Sequence, residues 1–300
     1  NVAAISTNLA AILADGGADA VNITISDTVD NITDNEVTVL NSIGNSTTGT
    51  FTVTLDGNNA KLANLTANAS QAAGCAYTIT VDDKVSLSEA IVICGKTSGN
   101  VGFAGKVEDT LANYATGTYA NLNTVVGKDS DVQLNISDAA FATSNTTVNP
   151  TVLSTIGLKT TGAVTVNNAV KIQGNEAEIT FALVTDSTLV VATTALVVIN
   201  DTPTIAELNA ISAKAGPITA TIATASAATI DTLTTKATDV ITITINDVND
   251  TSILATVLSS IGGKTAGVAT VSNAIIITGS PTEVVAAIAT GATKEIAATA

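Results

Sequence analysis

Apolar and polar residues alternate over short stretches at five places in the chain, and each stretch ends in an acid. These are NITISDT (22–28), YTITVDD (77–83), VQLNISD (132–138), LVVINDT (196–202) and ITITINDVND (241–250). A period of two in Ile, Val and Thr marks a half-buried strand. Taking Asp27, Asp82, Asp138, Asp201 and Asp247 as reference points, the copies lie 55, 56, 63 and 46 residues apart. After each strand the apolar spacing becomes helical, as at Leu254, Val257, Leu258 and Ile261, and a turn of the form G/S-x-K-T-x-G follows. The turns are GNSTTG (44–49), CGKTSG (94–99), GLKTTG (157–162), SAKAG (212–216) and GGKTAG (262–267).

A second short strand follows each turn: TFTVTL (50–55), NVGFAG (100–105), AVTV (163–166), ITATI (218–222) and VATV (268–271). A small-residue segment of helical spacing closes the unit, as in 60–69, 227–235 and 280–290. In the last of these, Ser280 and Glu283 form a capping-box pattern with Pro281 in the first turn. The expected fold is therefore an α/β repeat, a solenoid-like array of strand–helix–strand–helix units with parallel sheets, because a helix between strands returns the chain to the same sheet edge. Tandem β-sandwich modules are the alternative. The boundaries read as a partial repeat at 1–20, then units at 21–76, 77–131, 132–195, 196–240 and 241–300. Residues 1–20 and the chain after Gly279 both match the closing element, so the array is expected to continue beyond this sequence or between stacked copies. Gly44, Gly157 and Gly262 stand where a left-handed helix cap is expected, and Lys96, Lys159, Lys214 and Lys264 where a cation would meet a helix C-terminus.

Composition narrows the chemistry. Hydrophobic residues make up 46% of the chain but aromatic ones only 2%, which suits thin repeated layers rather than one large core. There is no His, and all 11 basic residues are Lys. The commonest general base and the bidentate anion clamp are both missing, so no enzyme is expected and no catalytic residue is assigned. A net charge of −15 argues against nucleic acid and anionic membrane surfaces as partners. No apolar run reaches the length of about 18 residues that a membrane span needs. The Lys-Thr turns lack the full phosphate-loop pattern and follow helices instead of opening them.

Three sets of residues remain as candidate sites, with no cofactor implied beyond a calcium ion. Asp247, Asn249 and Asp250 bring oxygen ligands together, and the segment resembles the D-x-N-D stretch that binds calcium between cadherin-like modules. Asp27 with Asp30, Asp82 with Asp83, and Asp129 with Asp131 are further acidic pairs; the plain alternative for all of them is turn and cap formation. Cys75 and Cys94 flank a strand and a helix and are expected to pair, closing a loop of about 20 residues worth roughly 3 kcal/mol. The alternative is two small buried apolar residues. Asn22, Asn31, Asn45, Asn64, Asn135 and Asn200 open N-x-S/T sequons that could carry glycans. Thr-x-Thr positions, as at Thr52 and Thr54 or Thr242 and Thr244, leave ice binding as a remote alternative, although Thr also simply suits a solvated strand face.

The recurrent D-T (Asp27-Thr28, Asp201-Thr202), K-T-x-G (Lys96–Gly99, Lys159–Gly162, Lys264–Gly267) and G-x-x-x-E-V (Gly279–Val284) patterns cover nearly the whole chain. On these the chain resembles the very large Ala/Thr/Val-rich β-strand-repeat proteins of bacterial cell surfaces, notably those of marine cyanobacteria and proteobacteria. That resemblance implies secretion and an extracellular role in a filament, sheath or surface layer, with self-association of repeats or copies. The alternative function is a calcium-stabilised adhesin that engages glycans or another surface.

Overall fold

The computed structural model describes residues 20–71, 74–288 and the backbone of 295–297. The partial repeat expected at 1–20 lies outside the described residues except for its last position. The chain divides into two compact units. One takes the chain up to Ser137 together with Leu158–Val164; the other takes Asp138–Gly157 together with the chain from Thr165 onward.

In the first unit the strands are β1 (Ile23–Val29), β2 (Thr50–Gly57), β3 (Gly74–Cys75), β4 (Thr78–Val81), β5 (Val101–Phe103), β6 (Val107–Asp109) and β7 (Leu134–Ile136). The order β1-β2-β4-β5 forms one sheet, with β3 beside β2, while β6 pairs with β7. The second unit contains β8 (Thr147–Val148), and β9 (Val164–Val166) falls at the boundary. Beyond it come β10 (Lys171–Gly174), β11 (Val190–Val191), β12 (Leu196–Ile199), β13 (Ile218–Thr221), β14 (Val240–Ile245), β15 (Ser252–Leu254), β16 (Ala269–Val271), β17 (Ile276–Thr278) and β18 (Glu295–Ala297). Seven of these line up as β8-β10-β12-β13-β14-β16-β18, and β15 pairs with β17.

The molecule is thus an α/β protein with several parallel sheets. Parallel pairing throughout the registered strand pairs overturns the β-sandwich alternative, whose sheets are antiparallel. In both longer sheets the order of strands along the main path follows their order along the chain. The separation between neighbours runs from 21 residues, Val197 beside Ile218, to 28, Ile23 beside Phe51. The expected first and second strands of one unit, such as β1 and β2 or β4 and β5, are neighbours in a single sheet. The spacings from Asp27 to Asp82 and from Asp201 to Asp247 therefore each span two strand-to-strand steps.

Helices return the chain between strands. They are α1 (Asp34–Asn45), α2 (Asn59–Leu62), α3 (Leu87–Cys94), α4 (Leu111–Val126), α5 (Phe141–Ser144), α6 (Pro150–Gly157), α7 (Glu176–Leu183), α8 (Ile205–Lys214), α9 (Ala227–Ile230), α10 (Ala255–Gly262) and α11 (Pro281–Ile288). Their starts are local in origin: Thr33/Glu36, Ser86/Glu89, Asn175/Glu178 and Thr204/Glu207 are complete capping boxes. At the expected fifth, Ser280 N–H donates to Glu283 Oε2 at 2.7 Å. These bonds hold the Glu89, Glu207 and Glu283 carboxyls below their ordinary range. Inside α4 the backbone leaves helical geometry at Thr116–Tyr119, with Gly117, Thr118 and Tyr119 all left-handed.

Strand alternation and helix periodicity face one another across the core. Phe51, Leu55, Ile79 and Val101 in the first unit, and Ile172, Val197, Ile218, Ile241 and Ile243 in the second, are buried on one side of their sheets. Helix residues such as Leu40, Ile43 and Ile93, or Leu208, Ile211, Leu258 and Ile261, are buried as well. Each such burial contributes about 1.5–3 kcal/mol. Two of the few aromatic residues, Phe51 and Tyr77, meet edge to face at 5.4 Å. Successive helices also pack side by side, α6 on α7, α7 on α8 and α10 on α11.

Candidate functional site

The side chains with the most demanding chemistry lie where one strand-to-strand step joins the next. In four K-T-x-G-type turns the threonine is buried: Thr47, Thr97, Thr160 and Thr265. Its hydroxyl donates to a carbonyl at the start of the preceding strand segment: Val21 at 2.6 Å, Tyr77 at 2.7 Å, Val132 at 2.7 Å and Ile241 at 2.9 Å. The same oxygen accepts the N–H two residues on, from Gly49, Gly99, Gly162 and Gly267, at 2.7–3.0 Å. Glycine is required at that point because a Cβ would lie 2.2–2.4 Å from a backbone oxygen of the earlier segment. The T-x-G turn is therefore a hydrogen-bonded joint, and its hydroxyl and glycine are separate halves of one contact.

The fifth turn, SAKAG, has no threonine. There Gly216 N–H bonds directly to the Ala195 carbonyl at 3.1 Å, and the next step is fastened back onto β13 by Asp239, a fully buried residue that the sequence does not mark. Its carboxylate accepts from Ile218 N–H at 3.0 Å, Lys236 N–H at 2.8 Å and the Ser212 hydroxyl at 2.8 Å. Three donors around one buried carboxylate make the charge tolerable.

The strand-end aspartates have a different task from the one the acidic pattern suggests. Asp83 accepts the N–H of Asn59 at 2.8 Å, Asp109 that of Leu87 at 3.2 Å, Asp201 that of Glu176 at 2.7 Å and Asp247 that of Ala227 at 2.7 Å. Each donor is the first residue of a helix, one step earlier in the chain. A helix leaves four N–H groups without internal partners, and here one of them is capped by a carboxylate from the next step. Where the helix opens on Pro150, which has no N–H, the later strand ends in Gly174, whose Cβ would stand 2.7 Å from Pro150 Cγ. Asp247→Ala should therefore destabilise the protein by about 1 kcal/mol. The loss should be equal in calcium and in chelator, read as the shift in urea midpoint; a loss seen only with calcium would assign the carboxylate to an ion.

The lysines also reach backwards. Lys128 Nζ donates to three consecutive carbonyls, Thr97 at 3.0 Å, Ser98 at 2.9 Å and Gly99 at 2.8 Å. Lys236 caps Ala215 at 2.8 Å, and Lys264 meets both the carbonyl and the carboxylate of Asp231, which ends α9. That contact holds the Asp231 carboxyl below its ordinary range. Of the four expected lysine caps, only Lys214 stands in the last turn of its own helix; Lys159 instead lies over the Tyr119 ring at 5.3 Å. Gly44, Gly157 and Gly262 close the final turns of α1, α6 and α10 and are not left-handed caps. Gly157 is small for another reason: a Cβ there would lie 2.2 Å from the Thr188 carbonyl oxygen.

Among the described residues, no three His, Cys, Asp or Glu side chains converge where they could hold one metal ion. Of the acidic candidates, Asp83 and Asp247 cap helices as above. Asn249 Oδ1 accepts from Ala274 N–H at 3.2 Å, and Asp250 takes a left-handed turn whose N–H donates to the Ala274 carbonyl at 2.8 Å. Asp27 lies where the register between β1 and β2 shifts, and Asp30 is exposed. Partial desolvation and the nearby Asp56 and Asp83 carboxylates push Asp82 upward. Asp129 accepts from Phe103 N–H at 2.8 Å, and burial pushes its carboxyl up.

The expected disulfide is not formed: Cys75 and Cys94 are both free, buried thiols. Cys75 turns its sulfur to Gln71 Oε1, which also accepts from the Tyr77 hydroxyl at 3.3 Å, while Cys94 closes α3. Burial pushes Cys75 upward and Cys94 up to about 11, so almost no thiolate exists near neutral pH. An aromatic disulfide reagent at pH 8 should modify neither in the native protein and both after denaturation; prompt native labelling would contradict the buried placement.

The sequon amides are mostly occupied. Asn22 accepts from Thr50 N–H at 2.8 Å and Asn200 from Gln173 at 2.9 Å. Asn64 and Asn135 donate through Nδ2, the atom a glycan would occupy, to Ala60 at 3.1 Å and Glu108 at 3.3 Å. Asn31 is left-handed, and the sequon at Asn45 contains Thr47 of the first joint.

No family model, no curated protein and no solved structure matches this chain. No helix among the described residues is long and apolar enough to cross a membrane.

Proposed function

We propose that this chain is a structural repeat segment of an extracellular filament, sheath or surface layer, built by stacking strand–helix steps into a solenoid. The observation that carries the reading is the recurrent joint. Four buried Thr hydroxyls and their glycines fasten one step to another with the same bonds, and this chemistry serves assembly rather than turnover. Missing His and Arg favour a non-enzymatic role, and the resemblance to bacterial surface repeat proteins fits the same location. Self-association of repeats or copies is part of this reading.

The competing adhesin reading would need the strand-end carboxylates for calcium, and Asp83 and Asp247 are engaged with helix termini. Electron microscopy of the native material tests the proposal. Rods, fibres or a lattice containing this sequence are expected; a compact monodisperse particle, with no larger parent on a denaturing gel, would sink it.

A further inference from the structure

The outward face of the seven-stranded sheet in the second unit is rich in Thr and Val. On alternate positions it carries Val198, Thr219, Val240, Thr242, Thr244 and Thr270, which are half-buried or exposed. Adjacent strands set these side by side: Val198 beside Thr219, Thr219 beside Val240, Thr244 beside Thr270. Val240 and Val268 are each 44% exposed. Among the described outward positions of these strands the one charged side chain is Lys171, in a chain of net charge −15. An all-parallel sheet is ordinarily covered on both faces, whereas the described outward positions of this one stay half-buried or exposed.

We infer that this face is a self-association surface, on which a second copy of the chain packs its own like face. The inference rests on the structural reading above and names where assembly occurs. Charge selects the occupant first: two copies of an acidic protein repel wherever carboxylates meet, and this neutral strip removes that penalty. A polyanion finds only one cation here. A sugar ring finds no aromatic side chain among the outward strand positions, and the ring beside them, Phe141, is already covered by Lys171 Nζ at 5.2 Å. β-Branched side chains at period two suit interdigitation between sheets about 10 Å apart.

Size sets the strength. Seven strands at about 4.8 Å spacing make a strip about 30 Å long, which buries on the order of 300 Å² per copy. A stable dimer needs about 800 Å² per partner, so an isolated chain should associate weakly, with Kd of about 0.1–1 mM. Repeated faces along a longer assembly would strengthen it through multivalency.

Sedimentation equilibrium across that concentration range tests the inference. Thr242→Glu and Thr242→Lys should each raise Kd at least about tenfold. Thr242→Ser should retain association, and all three should keep the circular dichroism spectrum and the melting transition of the parent. Association that survives both charged variants would overturn this face while leaving the structural reading to electron microscopy. A parent that stays monomeric throughout would overturn it too, as would retention on a neutral polysaccharide resin that the charged variants abolish, because the occupant would then be a glycan.

Discussion

Thr265→Val should destabilise the second unit by about 3–5 kcal/mol although it changes the side chain's shape hardly at all. The hydroxyl accepts the N–H groups of Gly267 at 2.7 Å and Ile241 at 2.8 Å, and donates to the Ile241 carbonyl at 2.9 Å. All of this lies in a buried environment where Thr265 is 3% exposed. Valine fills the same volume but leaves these backbone groups with no partner and no water, and each orphan costs about 1–3 kcal/mol. The control is Thr242→Val on the exposed face of the same unit, which should stay within about 0.5 kcal/mol of the parent. Urea unfolding followed by circular dichroism measures both. Equal midpoints for the two variants would mean that the joint contributes little.

The second large effect should come from Gly99→Ala, at about 2–4 kcal/mol. Here a methyl group would stand 2.3 Å from the Tyr77 carbonyl oxygen and 3.0 Å from its carbon, and both belong to backbone that leads directly into β4. Backbone held in a sheet yields only by shifting the strand, and overpacking of this kind usually costs about 1–3 kcal/mol. The Lys128 ammonium anchors the same turn through the Gly99 carbonyl, so the shift would disturb a second contact. Gly102→Ala, three residues on, is the matched control: its nearest neighbour would be the Ile79 oxygen at 4.0 Å. Residue 102 lies in an ordinary strand conformation, so alanine there should be neutral or stabilise by a few tenths of a kcal/mol. Melting temperatures that fall equally for both variants would remove the steric argument.

The strands were readable because alternation is local. In Ile241, Thr242, Ile243, Thr244 and Ile245 the two faces are written into five consecutive residues, and the burial pattern follows them. Helix starts were equally local where a capping box sits within four residues. The T-x-G turns were visible as turns, but their purpose was not, because each Thr finds its carbonyl 20–28 residues earlier. The strand-end aspartates misled for the same reason. Asp247 stands beside Asn249 and Asp250 in sequence and so suggests an ion site, yet its partner is the N–H of Ala227. Asp239 went unseen because nothing in KATDVITITI distinguishes a carboxylate enclosed by three donors from one in a solvated turn. The repeat length was read as two steps because the more acidic strands alternate with less acidic ones in the same sheet.

The aspartate caps also give the protein a direction in time. A chain made from its N-terminus produces Asn59, Leu87, Glu176 and Ala227 before it produces the carboxylates that complete their helices, 20–25 residues later. At any moment of synthesis, only the newest helix of this kind waits with an open end. Each added step seals the one behind it, so growth proceeds like a zip whose slider is always the most recent turn. A protease acting during that interval would find its substrate at the growing end and little behind it.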